Sequence, residues 1–199
     1  MEQEPFSVQL ERWLKSKSPK TIAGLDSVFA EKSFALAFLI LLAIPALPLP
    51  TGGVTHLFEA IAILLALELI IGRRTIWLPK RWQKTQIGAK TRNSVLPFLM
   101  RRVRWFEKFS RPRMSRLINY PLFRSLIGII VVVFSATAFF APPFSGLDTL
   151  PALGVVILSL GLILEDMVVV VMGVIVGIAG MVLTIGLGTV ITKFFIDLI

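Results

Sequence analysis

From Phe34 onward the chain alternates long apolar blocks with short polar or Pro/Gly-rich breaks. The first block, Phe34–Leu49, is interrupted by Pro45 and closed by Pro48-Leu49-Pro50-Thr51-Gly52-Gly53, where proline removes the N–H that a continuing helix needs. Leu57–Ile71 follows directly. Beyond a basic stretch come Leu126–Phe140, a second break at Ala141-Pro142-Pro143-Phe144-Ser145-Gly146, then Leu150–Leu164, the acids Glu165-Asp166, Met167–Leu183 and a last run to Ile199. In Leu153–Leu164 and Met167–Ile191 apolar side chains surround the whole helix circumference, which leaves no solvated face. The pattern predicts an all-α integral membrane protein with about six short apolar helices, in two repeated hairpins plus a C-terminal helix pair.

Two stretches carry a different, amphipathic rhythm. Val8–Leu14 alternates apolar residues with Gln9, Glu11 and Arg12, and Ser16–Pro19 ends it before Thr21–Phe29, so the N-terminal tail reads as one or two interfacial helices. Val95–Phe109 places Leu96, Leu99, Val103 and Phe106 on one stripe with Arg101, Arg102, Arg104 and Lys108 elsewhere, which predicts a helix lying in the membrane plane. Composition agrees: 55% of the 199 residues are hydrophobic and the mean hydropathy is +0.82, above the roughly 45–50% apolar share of soluble domains.

Charge changes the picture through its placement. The formal net charge is +9, and 15 of the 21 Lys and Arg lie between Arg73 and Arg124 against one acid, Glu107. Trp77, Trp82 and Trp105 stand among these cations, a mixture suited to anionic headgroups at a membrane surface and not to nucleic acid. The expected organisation is a cytoplasmic amphipathic tail (1–33), a first hydrophobic hairpin (34–72), a basic cytoplasmic or interfacial segment (73–121), and a second hairpin with the C-terminal helix pair (122–199). The start, with Glu2 and Glu4, is unlike a secretory signal peptide.

Placing Pro50 over Pro143 aligns the two hairpins without a gap: Gly53 falls on Gly146, Leu57 on Leu150, Leu65 on Leu158, Leu69 on Leu162, and Arg73-Arg74 on Asp166-Met167. Leu57–Ile71 and Leu150–Leu164 are shorter than the about 20 residues of a spanning helix. The hairpins therefore either cross a thinned membrane or turn back midway. Backbone broken at membrane depth must be buried by protein or bathed by water, and such breaks often line transport sites.

Pro45–Gly53, followed by Leu64–Arg74 and Trp77-Leu78-Pro79, resembles the ExoD family of bacterial exopolysaccharide-synthesis membrane proteins. Phe139–Pro143, Leu150-Pro151-Ala152, Leu158–Leu164 and Glu165-Asp166 resemble its second signature, so the likeness runs from Phe34 to Leu183. The chain departs from the pattern at Glu68, where an amide is common, and at Met167, where a glycine often follows the acid. The resemblance implies a multi-pass protein of the bacterial inner membrane linked to exopolysaccharide production. It supplies no reaction.

Ionisable groups inside a bilayer are costly, which makes Glu59, Glu68 and Asp148 candidates for a cavity or ion-binding site, with His56 one turn from Glu59. Plainer readings place Glu68 at headgroup level and make Asp148 a helix cap. The breaks at Pro48, Pro50, Gly52, Gly53, Pro142, Pro143 and Gly146 would shape that cavity. Arg73 and Arg74 stand where a salt bridge to Glu165 and Asp166 is geometrically reasonable, the plainer reading of the acids being a solvated turn. Gly173 and Gly177 permit close helix packing, within the chain or in a homodimer.

A lone histidine without cysteine predicts no metal site, and Ser145 has no base, so no nucleophile–base set points to an enzyme or a cofactor. Two functions compete. One is a transport-like protein with a polar cavity at the breaks. The other is a non-transporting accessory or scaffold protein whose basic segment holds anionic lipid or a partner such as the exopolysaccharide machinery.

Overall fold

The structure, a computed structural model, describes residues 6–16, 21, 32–48, 53–73, 75–77, 96–108, 110, 120–142 and 145–197. Among these there are seven helices and no strand: α1 (Phe6–Lys15), α2 (Ser33–Leu42), α3 (Val54–Ile70), α4 (Leu96–Glu107), α5 (Pro121–Phe139), α6 (Thr149–Leu164) and α7 (Met167–Asp197). Nearly all of the second stretch of the tail (22–29) and most of the basic segment lie outside the described residues.

Local chemistry sets the helix limits. The ring of Pro45 cannot share a helix with the carbonyl four residues earlier, and α2 stops at Leu42 in a run of turns. At α5 the proline comes first: Pro121 follows the extended Tyr120 (φ −76°, ψ 125°) and occupies the one turn where a missing N–H costs nothing. Gly53 (φ +89°) and Gly146 (φ +68°) stand just ahead of α3 and α6 in a left-handed conformation that glycine adopts freely.

Helices α2, α3, α5 and α6 form a bundle in which α2 packs on α3 and α6, and α5 packs on the other sides of α3 and α6. α3 and α5 run antiparallel. The His56 and Phe139 rings meet at one end, with centroids 5.4 Å apart, and at the other the Ser125 hydroxyl donates to the Ile70 carbonyl at 3.1 Å. The end carrying Gly53 and Gly146 is called the break end below, and the opposite one the linker end.

The buried stripe of α3 is Thr55, Glu59, Ala62, Ala66 and Leu69, a spacing of four and three that keeps one helix face inward. In α6 the buried positions Ala152, Val155, Ser159 and Leu162 lie 93 residues after the last four of these. Phe34, Ala35, Phe38 and Leu42 of α2 likewise stand 93 residues before Ile127, Gly128, Val131 and Ser135 of α5, all buried.

α7 lies along α6 as its antiparallel partner in the most extensive contact of the fold. Glycines make it close. A Cβ added at Gly173 would stand 2.4 Å from the Leu158 nitrogen, and one at Gly154 2.4 Å from the Gly177 Cα. The run read from sequence as a C-terminal helix pair is one continuous helix of 31 residues. It contains no proline, and several of its glycines lie against α6 or α5 instead of breaking the backbone.

Among the described residues two helices are long and apolar enough to cross a membrane: Pro121–Phe139 and Met167–Leu187. Only 33% and 28% of these windows are buried in the protein, so most of their apolar surface faces outward, as at Val171, Met172, Ile175 and Ile178. α3 and α6, with 17 and 16 residues, fall short of a full crossing.

The amphipathic segments also form. α1 buries Phe6, Leu10 and Trp13 and meets α4, whose Val103 is buried while Arg101, Arg104 and Trp105 are exposed. Glu107 accepts hydrogen bonds from the Ser7 backbone N–H and hydroxyl, and so satisfies a donor that the first turn of α1 leaves open. Glu11 is held below the usual carboxylate range by the hydrogen bond and charge of Lys15, with Arg104 adding to the effect.

Candidate functional site

The inward stripe of α3 carries an acid between Thr55 on one side and Ala62, Ala66 and Leu69 on the other. Glu59 is 0% exposed, and its Oε2 lies 3.0 Å from His56 Nδ1, one turn earlier on the same helix. Among the described residues its Oε1 has no hydrogen-bond partner. His56 is half-buried and packs against Phe139 of α5, so the pair connects the bundle interior with the break end.

Burying a lone carboxylate costs several kcal/mol unless it is paired or neutral. Glu59 therefore has two stable forms: an ion paired with protonated His56, or a neutral acid bonded to neutral imidazole. The two differ by one proton moved across the 3.0 Å contact. Neither form carries a net charge, which lets the acid sit inside an apolar bundle with a proton shared between the two side chains.

Asp148 completes the group from the second hairpin. It stands at the start of α6 with helical backbone angles and makes no side-chain cap to that helix, which departs from its plain reading as a capping residue. Instead its Oδ2 accepts a hydrogen bond of 3.4 Å from the hydroxyl of Thr55. The chain leading into α6 is fixed by Thr184 of α7, whose hydroxyl donates to the Leu147 carbonyl at 2.8 Å.

The structure thus brings His56, Glu59 and Asp148 to one end of the bundle and leaves Glu68 out. Glu68 lies nine residues farther along α3, about 13 Å away along the axis. There it accepts a hydrogen bond of 2.7 Å from the Trp77 backbone N–H. Among the described residues no three His, Asp or Glu side chains come together to hold a metal ion. Of the break residues, Pro48, Gly53, Pro142 and Gly146 border this end, while Pro50, Gly52 and Pro143 lie outside the described residues.

A family profile for exopolysaccharide synthesis, ExoD, matches residues 6–186 of this sequence. The chain belongs to the ExoD family. An uncharacterized Synechocystis protein, slr1875, is 30% identical to it over 176 residues, which cover 86% of this chain and 77% of that relative. Protein ExoD of Rhizobium meliloti is 27% identical over 147 residues, covering 73% of this chain and 61% of its own length. No solved structure matches.

In this ExoD-family chain the acids of the second hairpin have partners at the linker end. Glu165 pairs with Lys32 at 2.9 Å, and the same ammonium donates to the Ile163 carbonyl. Asp166 accepts from the Val168 backbone N–H at 2.9 Å and from the Ser110 hydroxyl at 3.1 Å. Arg73 has its guanidinium 5.8 Å from the Trp77 ring centroid, and its carbonyl accepts from Arg124. Arg74 lies outside the described residues.

Gly173 and Gly177 are committed to packing inside the chain, against Leu158 and Phe134. A homodimer through these two glycines would have to displace α6. Thr55 and Lys32 do not stand out in the sequence pattern. Thr55 could have been found, because it stands 93 residues before Asp148, the offset that aligns the hairpins.

Proposed function

We propose that this ExoD-family protein is a multi-pass membrane protein supporting exopolysaccharide synthesis as a transport-like component, with Glu59 as its ion- or proton-handling group. The observation that carries this reading is the Glu59 carboxyl, fully buried, bonded through one oxygen to His56 and without a protein partner on the other. An acid in an apolar bundle costs stability and is kept where function needs it. The family profile and the Rhizobium meliloti relative give the tie to exopolysaccharide.

The architecture we infer is two parallel repeats, α2–α3 and α5–α6, related by an axis along the membrane normal. Support comes from the matched burial 93 residues apart, the left-handed Gly53 and Gly146 at equivalent positions, and the Thr55–Asp148 hydrogen bond, which also joins equivalent positions. In this reading the N-terminus and residues 73–121 are on the cytoplasmic side of the inner membrane.

Exposed Arg101, Arg104 and Trp105 of α4, with Lys108 just after it, favour a second role, attachment to anionic lipid, at about 1 kcal/mol per cation near the surface. The variant Glu59→Gln separates the two. It keeps shape and removes the charge, and in a host lacking its own ExoD-family protein it is expected to cut restored exopolysaccharide at least tenfold while still inserting in the membrane. Restoration to the wild-type level would refute the ion-handling role and leave the lipid-attached one.

A further inference from the structure

We infer that the ion handled at Glu59 is the proton, and that it moves between Glu59 and the linker end along a hydrated path marked by Ser135 and Ser159. The inference rests on the reading of Glu59 given above. Ser135 in α5 and Ser159 in α6 are both 0% exposed, and among the described residues neither hydroxyl has a hydrogen-bond partner, like Glu59 Oε1. A buried hydroxyl left unpaired costs about 1–3 kcal/mol. Water would satisfy all three.

Their levels form a sequence. The antiparallel register of α3 and α5, fixed by His56 with Phe139 and Ile70 with Ser125, sets Ser135 level with Ala60, beside Glu59. Ser159 occupies the position equivalent to Ala66, which at a helical rise of about 1.5 Å per residue lies roughly 10 Å nearer the linker end. The neighbouring buried positions Ala62 and Ala66 are small. About 4.5 Å beyond Ser159, at the level of Leu162, a cavity of about 30 Å³ lies between Lys32 and Arg124, walled otherwise by apolar side chains such as Phe34, Phe38, Leu69 and Phe123, with room for about two waters.

The mouth is not purely cationic, since Lys32 is paired with Glu165. A hydroxyl has one donor and two acceptor sites, so it can accept a proton on one lone pair while releasing its own. A proton entering from water at the linker end would pass by such exchanges, in which only O–H bonds form and break. It reaches Glu59 Oε1 and cancels the carboxylate charge. The His56 imidazole, in contact with Oε2 and half-buried at the break end, takes a proton from the acid on one ring nitrogen and releases one to water there from the other. A metal cation would need several oxygens at one depth, whereas these three oxygens are spread along the bundle.

Two measurements test the path. The chain has no cysteine, so Ser135→Cys, Ser159→Cys and, as a dry control facing α7, Leu158→Cys can be treated in membranes with a small cationic methanethiosulfonate. Ser135→Cys and Ser159→Cys are expected to react at least tenfold faster than Leu158→Cys; equal rates or an unreactive Ser159→Cys overturn the path. In proteoliposomes with a trapped pH dye and an imposed potential, the wild-type protein is expected to speed proton entry over empty liposomes. Ser159→Ala should slow it at least threefold, and Ser159→Thr should restore it. Wild-type flux no faster than empty liposomes, or Ser159→Ala at the wild-type rate, overturns the inference. The exopolysaccharide result for Glu59→Gln then decides the site independently.

Discussion

Gly173 offers the sharpest test of how α6 and α7 fit together. In Gly173→Ala the new Cβ would stand 2.4 Å from the Leu158 nitrogen and 2.7 Å from its Cα. These are backbone atoms of a packed helix, so they cannot swing aside, and ordinary contact requires the helices to part by about 1 Å. Overpacking costs about 1–3 kcal/mol, and a backbone clash belongs at the upper end. Against this, alanine gains about 1 kcal/mol of helix propensity over glycine, for a net loss of about 2 kcal/mol.

Gly186 is the control, because a Cβ there meets nothing within 4 Å, and Gly186→Ala should gain up to about 1 kcal/mol from propensity alone. For a chain of this size each kcal/mol moves Tm by about 2–4 °C. Thermal unfolding in detergent at a fixed scan rate should therefore place Gly173→Ala about 5 °C below the wild type and Gly186→Ala at or above it. A Gly173→Ala protein that melts with Gly186→Ala would refute the close approach. Gly177→Ala falls between them, since its Cβ meets the Phe134 ring, which can rotate away.

Glu165 ends α6 in a left-handed conformation (φ 56°), with Glu165 N–H bonded to the Leu162 carbonyl and Asp166 N–H to that of Gly161. Both Glu165→Ala and Glu165→Gly lose the Lys32 pair, but only alanine keeps the backbone penalty, so Glu165→Gly should be the more stable by about 1 kcal/mol in a thermal melt; equal stability would contradict the turn geometry. A protease site placed between Lys84 and Asn93 should be cut from the cytoplasmic side, as the cation excess of that connection requires, and cleavage from the periplasm would invert the topology.

Much of the bundle is legible in the sequence because proline and glycine act locally. Pro45, Gly53 and Gly146 mark helix limits through their own backbone constraints, which need no knowledge of neighbours, whereas the apolar pattern misses the start of α5 at Pro121, five residues before Leu126. Met167–Asp197 reads as two runs divided after Leu183, yet the glycines on either side of that point leave the helix unbroken: Gly180 packs against Pro151, distant in sequence, and Gly186 stands in open space. The meeting of Glu59 with His56 follows from helical spacing, whereas that of Asp148 with Thr55 depends on how the hairpins dock. Lys32 is invisible as the partner of Glu165, since 133 positions separate them and the aligned hairpins point instead to Arg73-Arg74.

Under the two-repeat architecture proposed above, the Thr55–Asp148 contact bears on why one chain would hold both halves. In a dimer of either half alone, the residue at this position would face a copy of itself: threonine against threonine, or aspartate against aspartate. The second arrangement would set two like charges a hydrogen-bond length apart. Fusion lets a donor stand opposite an acceptor. The same freedom applies to Glu59, whose counterpart 93 residues on is the fully buried Ala152. A symmetric pair would bury two carboxyl groups where this chain buries one. Departing from symmetry at these two positions, while keeping it in the apolar stripe around them, gives a single charge a place that duplicated halves could not offer.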